Sequence, residues 1–497
     1  MNIAIVGASG FIGKALIQEL LSQTGHHLIA ISRSKLVYDS PRFEWRACDL
    51  HNLLQLEKVL EGVDTAVYLI HSMLPGARLN QGNFSDFDLS LADNFGRAAR
   101  LNGIRRVIYL SGLMPESEML SAHLKSRREV EDALRSYLPN VICLRAGIIV
   151  GPQGSSFTIV VRLVERLPLM VCPRWALHQS QALYIDDVTH IIAACIDDPK
   201  RDAQTFDLGA EPPIAYIDML KKTADILQKK TLFLSVPMLS VKLSKLWVRL
   251  VSGAPKDLVY PLVESLREAM LVRPAHRWHE PGFRYTPFEV AVGKVVGTMR
   301  SDHTLLPHAF RNWRLKQKSV RSIQRLMLPP GRDAAWVAEQ YVNYLPKIFP
   351  LLIRVVRQGS MIYLKMRGLP INLLILDYSV DRSSSDRQLF YVRGGLLSNS
   401  GQGSARLELR ETLRGTLCLA AVHDFTPRLP WSLYRVTQAV IHAWFMARLG
   451  SYIQNLEPAA SQTAVRMLNP PPRYTPNTTE HANAHGQEKE VTSASKS

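Results

Sequence analysis

The stretch NIAIVGASGFIG at residues 2–13 decides the fold of the N-terminal half of the chain. A short apolar run, typical of a buried parallel strand, leads into Gly7, Gly10 and Gly13, and residues 12–22 carry apolar side chains at helical spacing. In such a unit the first glycine permits a tight turn, the second lets a pyrophosphate approach the backbone, and the third lets helix pack on strand. The pattern predicts a dinucleotide at the positive end of the helix; a glycine-rich turn without a ligand is the alternative.

The residue about twenty positions beyond the last glycine discriminates the two nicotinamide dinucleotides. A carboxylate there binds a free ribose 2′-hydroxyl, whereas a guanidinium pairs with a 2′-phosphate. This position is Arg33, in ISRSK. It favours NADP over the alternative, NAD, unless the segment is a solvated basic turn.

Strand and helix patterns continue to alternate. Strands are predicted at 27–32, at 63–73 and at 105–113, and CDLHN (48–52) ends a further strand and begins a helix. A helix is also predicted over 86–102. This regularity predicts an α/β doubly wound parallel sheet, a Rossmann fold, with the ligand at the carboxyl ends of its strands.

The predicted cofactor contacts lie at those strand ends. Asp49 is placed to reach the adenine, or else only caps the following helix. The turn at His71 and Ser72 is placed to line the adenine ribose. The full predicted set is Gly7, Ser9, Gly10, Phe11, Ile12, Gly13, Ser32, Arg33, Asp49, Leu50, His71 and Ser72.

Several motifs together carry a family resemblance: GASGFIG (7–13), CDL (48–50), YLSG (109–112), LRAGIIVGPQGSSF (144–157) and ALYIDDVTHII (182–192). Over residues 1–300 the chain resembles an atypical or extended short-chain dehydrogenase/reductase. It is most similar to the NmrA-like and epimerase-like branch, which includes the nucleotide-binding accessory subunit of respiratory complex I. The resemblance implies a Rossmann fold, an NAD(P) site and a substrate region after residue 150.

The resemblance also implies where catalysis would occur. Active members carry a serine on the fifth strand and a Tyr-x-x-x-Lys pair on the next helix; here Ser111 occupies the serine position, but His123 and Arg127 replace the pair. Residues four apart share a helix face. His123 then exchanges the proton of a carbonyl or alcohol substrate and Arg127 holds the ribose. The rival interpretation is an NADP-binding redox sensor or scaffold without turnover, because arginine cannot relay a proton.

The amino-acid composition is typical of a globular protein. The chain has 497 residues, 46% of them hydrophobic and 21% charged, which predicts a globular protein of two or three folding units. Five cysteines lie far apart and have no histidines at zinc-site spacing, so we expect neither disulfides nor a metal site, and a reducing compartment. No apolar run reaches about 18 residues and no export signal is found, so a cytoplasmic protein is expected.

A formal charge of +17 raises the question of anionic partners. Residues 231–251 have the pattern of a basic amphipathic helix, which either rests on the acidic face of the inner membrane or packs on its own domain. The basic segment 311–325 lacks a nucleic-acid-binding signature. We therefore predict that it is a strand-bearing linker and that the protein has no nucleic-acid partner. The substrate is an unidentified small molecule.

The C-terminal part is predicted as a smaller α+β domain. Six strands between 350 and 428 predict an antiparallel meander, and 429–453 has the periodicity of a helix laid across it. This arrangement loosely resembles the helix-grip START-like domains, which bind lipids and small ligands. Tyr391, His423, Trp431 and Trp444 either line a cavity or belong to the core. The predicted division is 1–300, 301–455 and a disordered tail, 456–497.

Overall fold

Two large β-sheets organise the described part of the chain, which comprises residues 1–72, 79–116, 120–236, 241–301, 319–399 and 405–456 of the computed structural model. The strands are β1 (Asn2–Val6), β2 (His27–Ser32), β3 (Phe43–Ala47), β4 (Thr65–Tyr68), β5 (Leu79–Gln81), β6 (Arg106–Gly112), β7 (Val141–Ala146), β8 (Ile149–Val150), β9 (Leu169–Pro173), β10 (Gln179–Ser180), β11 (Leu183–Tyr184), β12 (Thr205–Leu208), β13 (Ile214–Ala215), β14 (Leu232–Val236), β15 (Val320–Met327), β16 (Ile353–Gln358), β17 (Met361–Met366), β18 (Asn372–Tyr378), β19 (Arg387–Gly394), β20 (Arg406–Thr412) and β21 (Leu417–Phe425). The helices are α1 (Phe11–Gln23), α2 (Leu53–Val59), α3 (Phe84–Leu101), α4 (Ala122–Tyr137), α5 (Ser155–Arg166), α6 (Ile185–Asp197), α7 (Tyr216–Ile226), α8 (Val241–Ser252), α9 (Lys256–Ser265), α10 (Phe288–Ser301), α11 (Ala334–Ile348), α12 (Trp431–Val436) and α13 (Gln438–Gln454).

The first sheet has seven parallel strands in the order β12-β7-β6-β4-β1-β2-β3. Ile3 and Ile5 of β1 belong to the core beneath α1 and α6, whereas Ala4 and Val6 face the layer of α2, α3 and α4. Burial on both faces explains why these strands are nearly continuous apolar runs. The predicted doubly wound Rossmann-type sheet is confirmed, although the strand predicted at 63–73 ends at Tyr68.

The region after residue 150 builds a cap of short strands and helices beside this sheet. The helix predicted over 231–251 is wrong in its first part, because Leu232–Val236 forms β14 and pairs in parallel with β9. The apolar spacing of this segment fits either structure, and pairing with β9 decides for the strand. The remainder is helix α8, on which Leu243, Leu246 and Leu250 are exposed. Contact of this helix with a membrane stays a prediction.

The second sheet has eight strands in the order β16-β17-β18-β19-β20-β21-β15-β5. The six strands predicted between 350 and 428 are confirmed as the antiparallel meander β16 to β21. The strand expected in the linker at 311–325 is confirmed, but it is buried rather than solvated. The end of the linker forms β15, which pairs with β21 and buries Val320, Ile323 and Leu326. The other basic residues of that segment, at 311–318, lie outside the described residues.

Strand β5 joins the two halves of the chain. It comes from the first 100 residues, yet it pairs in parallel with β15 of the second sheet. Hydrogen bonds therefore cross the predicted boundary at residue 300. The helix predicted over 429–453 is two helices, α12 and α13, because Thr437 between them leaves the helical region with φ −119° and ψ −87°. With α11 they cover one face of the second sheet.

The other face of the second sheet packs on the α2–α4 layer of the first. Ile323, Leu417 and Leu419 share one apolar core with that layer. Beside this core, the fully buried guanidinium of Arg410 donates to Asp93 of α3 at 3.0 Å and to Glu408 at 3.2 Å. Charges buried this deeply are tolerated only when they are paired, so this network holds the two sheets in one arrangement.

No helix among the described residues is both long and apolar enough to cross a bilayer.

Candidate dinucleotide-binding and active site

The glycine turn after β1 has the geometry of a phosphate-binding loop. Gly7 has φ +96°, which favours glycine, and a Cβ there would lie 3.3 Å from the backbone of Leu69. A Cβ on Gly13 would lie 2.7 Å from the Gly7 carbonyl oxygen and 2.8 Å from the Ala8 Cα, so α1 packs directly on the loop. The amide of Gly10 donates to the Gly7 carbonyl at 2.9 Å and closes the turn.

Helix α1 begins at this turn without a side-chain cap. Its N-cap is Gly10, which has no side chain to accept from the first-turn amides. Those amides, which include Phe11 and Ile12, have no partner inside the helix and carry its positive end. An uncapped N-terminus behind a glycine cradle fits a pyrophosphate, so the residues present fit the predicted cofactor.

A cleft of about 270 Å³ lies in front of this helix. Of the predicted contacts, it is lined by Gly7, Ser9, Gly10, Ser32, Arg33, Asp49, Leu50, His71 and Ser72. The other three lie in or beneath α1. The ring of Phe11 packs against Gly151 and Gly154, Ile12 joins the core, and Gly13 lies in the first turn of α1 against the glycine loop.

The end of the cleft at Arg33 and Asp49, where the adenine is predicted, holds a charge pair that the sequence did not reveal. The Asp49 carboxylate accepts from Arg321 of β15 at 2.6 Å and from the His51 amide at 3.2 Å. Burial opposes its ionisation, but His51, the Arg321 charge and these hydrogen bonds hold the pKa of Asp49 at about 2. Asp49 does not cap α2, because Asn52 accepts from the Gln55 amide in that role.

Arg33 and Arg321 make this end of the cleft positive. The Arg33 side chain is exposed in the cleft wall, and Arg321 is 3% exposed. Burial and the charge of Arg321 lower the pKa of His51 well below its usual value, so this imidazole is neutral at pH 7. Among the described residues that line the cleft, Arg33 and Arg321 carry two positive charges and Asp49 carries one negative charge, so the wall has a net positive charge.

Three buried polar atoms at the same end have no hydrogen-bond partner within the described residues. They are the Oδ1 of Asn80, the Nδ1 of His51 and the Nε of Arg321, and all three side chains line the cleft. Buried polar atoms in folded proteins almost always have partners. Their position therefore fits a polar group of a bound nucleotide.

The opposite end of the cleft is organised by Asp88 of α3, which sequence reasoning missed. Its buried carboxylate accepts from the Ser72 amide at 2.6 Å and from the Ser126 hydroxyl at 3.3 Å, and lies 3.3 Å from the Nδ1 of His71. Nothing in the local pattern of an amphipathic helix marks this aspartate, because its partners come from the loop after β4 and from α4. The dyad with His71 appears only in the tertiary structure.

The His71 ring stacks on His123, with ring centroids 5.5 Å apart. Helix α4 begins at its N-cap Ser121, and the Nδ1 of His123 lies 3.2 Å from the Ser265 hydroxyl. Burial and the charge of Arg127 lower the pKa of both imidazoles, that of His123 well below its usual value. Both rings are therefore neutral at pH 7.

The structure places Arg127 beneath the site. It is 4% exposed, donates to the Tyr109 hydroxyl at 3.1 Å and lies 3.7 Å from Asp88. The Ser111 hydroxyl is also buried and has no hydrogen-bond partner in the described part of the chain. Ser111, His123 and Arg127 do not line the cleft themselves; His71 connects it to His123.

Comparison with known families agrees with this geometry. Residues 7–161 match the family model described as NAD(P)H-binding. These residues are an NAD(P)H-binding domain. The match agrees with the Rossmann-type parallel sheet described above. A likeness to the complex I subunit and to START-like domains stays a prediction.

Curated relatives match parts of the chain. The auxiliary protein GraX of Staphylococcus aureus is 31% identical over 121 residues, which are 24% of this chain and 39% of GraX. The uncharacterized UDP-glucose epimerase YtcB of Bacillus subtilis is 23% identical over 310 residues, 54% of this chain and 96% of YtcB. The ceramide reductase of Caulobacter vibrioides is 24% identical over 215 residues, 41% of this chain and 67% of that enzyme. The chain thus spans well under half of GraX.

Proposed function

We propose that the protein is an NADP(H)-dependent oxidoreductase that acts on a carbonyl or alcohol substrate. The observation that carries this proposal is the His71–His123 pair, which stands at the end of the dinucleotide cleft opposite Arg33 and Arg321. NADP(H), when bound, supplies or accepts the hydride. The net positive charge of the cleft wall at Arg33 and Arg321 supports the phosphorylated dinucleotide over NAD(H).

In this proposal His123 exchanges the proton of the substrate oxygen. A neutral imidazole accepts a proton from an alcohol, and in the reverse direction the imidazolium returns it to the developing alkoxide. The unpartnered hydroxyl of Ser111 orients the same oxygen. General acid–base assistance of this kind is worth on the order of 10²–10⁴ in rate.

His71, Asp88 and Arg127 are positioning residues. Asp88 accepts from the Nδ1 of His71 and so holds the ring against His123. Arg127 contributes by charge rather than by touching the cleft, because it helps to keep both imidazoles neutral. The role proposed for Arg127 therefore differs from that of the family's lysine, which contacts the ribose of the dinucleotide.

The test combines nucleotide titration with a turnover screen. Calorimetry with NADPH and NADH is expected to favour NADPH, and oxidation of NADPH is then followed by absorbance with a panel of aldehydes, ketones and quinones. His123→Ala is expected to lower turnover at least 100-fold, while the Kd for NADPH changes less than about twofold. The exposed His279→Ala is the matched control. Undiminished turnover in His123→Ala would remove His123 from the mechanism.

A second candidate is an NADP(H)-binding redox sensor or scaffold that converts nothing. The specific observation in its favour is Arg127, which is buried against Tyr109 and Asp88 where a catalytic lysine would reach the ribose. This candidate predicts tight NADPH binding and no oxidation with any carbonyl of the panel. It also predicts that NADP+ and NADPH protect the C-terminal sheet from proteolysis to different extents.

A further inference from the structure

The second sheet lines a cavity that the dinucleotide chemistry does not use. About 180 Å³ of space lies between this sheet and helices α11 and α13. Four residues predicted for such a cavity, Tyr391, His423, Trp431 and Trp444, do not line it. His423 instead faces the first sheet, with its ring 5.5 Å from that of His51, and Trp444 is 44% exposed.

This cavity and the dinucleotide cleft lie on opposite sides of one wall, formed by β5 and β15. The two strands pair Asn80 with Arg321 and Gln81 with Ser322. Successive residues of a strand point to opposite faces. Asn80 and Arg321 accordingly line the cleft, whereas Gln81 and Ser322 line the cavity. The cavity is therefore a separate site.

The lining is apolar and uncharged. It consists mainly of Leu, Val, Ile, Phe and Tyr side chains and includes no Asp, Glu, Lys or Arg among the described residues. Its imidazole, His442, is neutral at pH 7 because burial lowers its pKa to about 4. A charged ligand would have to lose its hydration there without a counter-ion, which is costly.

Three polar atoms in this apolar lining have no hydrogen-bond partner within the described chain: the Gln81 Oε1, the Ser322 hydroxyl and the Gln438 Oε1. The amide nitrogen of Gln81 is held by the Ala439 carbonyl at 2.8 Å, so its oxygen is fixed in place. An apolar pocket with a few placed polar groups is the usual form of a small-molecule site.

We propose that this cavity binds a small, uncharged, mostly apolar molecule whose hydroxyl, carbonyl or amide group is recognised by Gln81, Ser322 and Gln438. The volume suits a molecule of about seven non-hydrogen atoms, since a cavity of about 150 Å³ holds a benzene ring, which has six. The ligand occupies a site distinct from the dinucleotide cleft, and its binding does not depend on hydride transfer.

The test uses three single-ring probes on the full chain: phenol, benzene and benzoate. Phenol is expected to bind one site per chain, benzene about three- to tenfold more weakly because it lacks the hydroxyl, and the benzoate anion not at all. Saturating NADP+ leaves phenol binding in place, because the wall separates the two sites. Displacement of phenol by NADP+ would overturn the proposal, as would benzoate binding equal to that of phenol or the absence of phenol binding.

Two variants locate the polar recognition. Ser322→Ala and Gln438→Leu are each expected to weaken phenol binding about three- to tenfold and to leave benzene binding unchanged. Ser360→Ala, at an exposed serine in the turn between β16 and β17, changes neither affinity. Because the two variants lie on different elements, the folded variant still tests the assignment if the other does not fold. Unchanged phenol affinity in a folded variant of this pair contradicts the assignment.

Discussion

Replacing Arg321 with methionine tests whether the second sheet takes part in choosing the dinucleotide. Arg321 lies in the wall of the dinucleotide cleft, and its guanidinium donates to Asp49 at 2.6 Å. The substitution removes one positive charge and leaves the Asp49 carboxylate unpaired beside Arg33. The described wall then changes from net positive to neutral. We expect NADP+ to bind more weakly, and NAD+ to be much less affected because it lacks the 2′-phosphate.

The size of the effect follows from the cleft. A space of 270 Å³ is about 6 Å across. One unit charge at about 6 Å, with an effective dielectric constant of about 40, is worth about 1.4 kcal/mol for each phosphate charge. A nearly dianionic 2′-phosphate therefore loses about 2 kcal/mol once counter-ion screening is included, which is roughly a 30-fold weaker Kd.

The assay is calorimetric titration with NADP+ and NAD+ at low ionic strength, after thermal melting has established that each variant is folded. Arg321→Lys keeps the charge and should retain most of the preference for NADP+. Arg393→Met is the matched control, since Arg393 is 46% exposed and pairs with Asp377 outside the cleft. A folded Arg321→Met variant with an unaltered ratio of the two dissociation constants refutes the reasoning.

Three further outcomes are expected. Arg33→Asp should invert the preference between NADP+ and NAD+ in the same titration, and an unchanged ratio would contradict the role given to Arg33. Arg410→Met should lower the free energy of unfolding in urea by about 3 kcal/mol, because it breaks a fully buried pair with Asp93 and leaves that carboxylate only its remaining partners; a loss below about 1 kcal/mol would argue against a locked interface. Burial holds the pKa of His423 well below its usual value, so the unfolded chain takes up a proton below about pH 6.5 while the folded chain does not. This contribution to the free energy of unfolding is therefore fully present above that pH and is lost progressively below it. His423→Phe should make the decrease in unfolding free energy between pH 6.5 and 5 smaller by about 2 kcal/mol. The same change at an exposed histidine, His279→Gln, should leave that decrease unaltered.

The sequence by itself determined the Rossmann sheet, the glycine cradle and the antiparallel meander. These features depend on short stretches of sequence. At Gly7 and Gly13 a side chain would collide with neighbouring backbone, buried strands are apolar runs that alternate with segments of helical periodicity, and turn residues separate the short strands. Most of the predicted cofactor residues line one cleft for the same reason, because the carboxyl ends of parallel strands meet at one edge.

Only the tertiary structure decided how the two sheets meet. Asp49 and Arg321 are 272 positions apart, and β5 joins a sheet whose other strands begin at Val320. No residue period encodes such pairs, because they follow from burial and hydrogen bonding after distant segments have packed. The positive end of the cleft at Arg33 and Arg321, the Asp88–His71 dyad and the cavity behind β5 and β15 all arise at that level. The chemistry of the cleft therefore depends on packing more than on the motifs that located it.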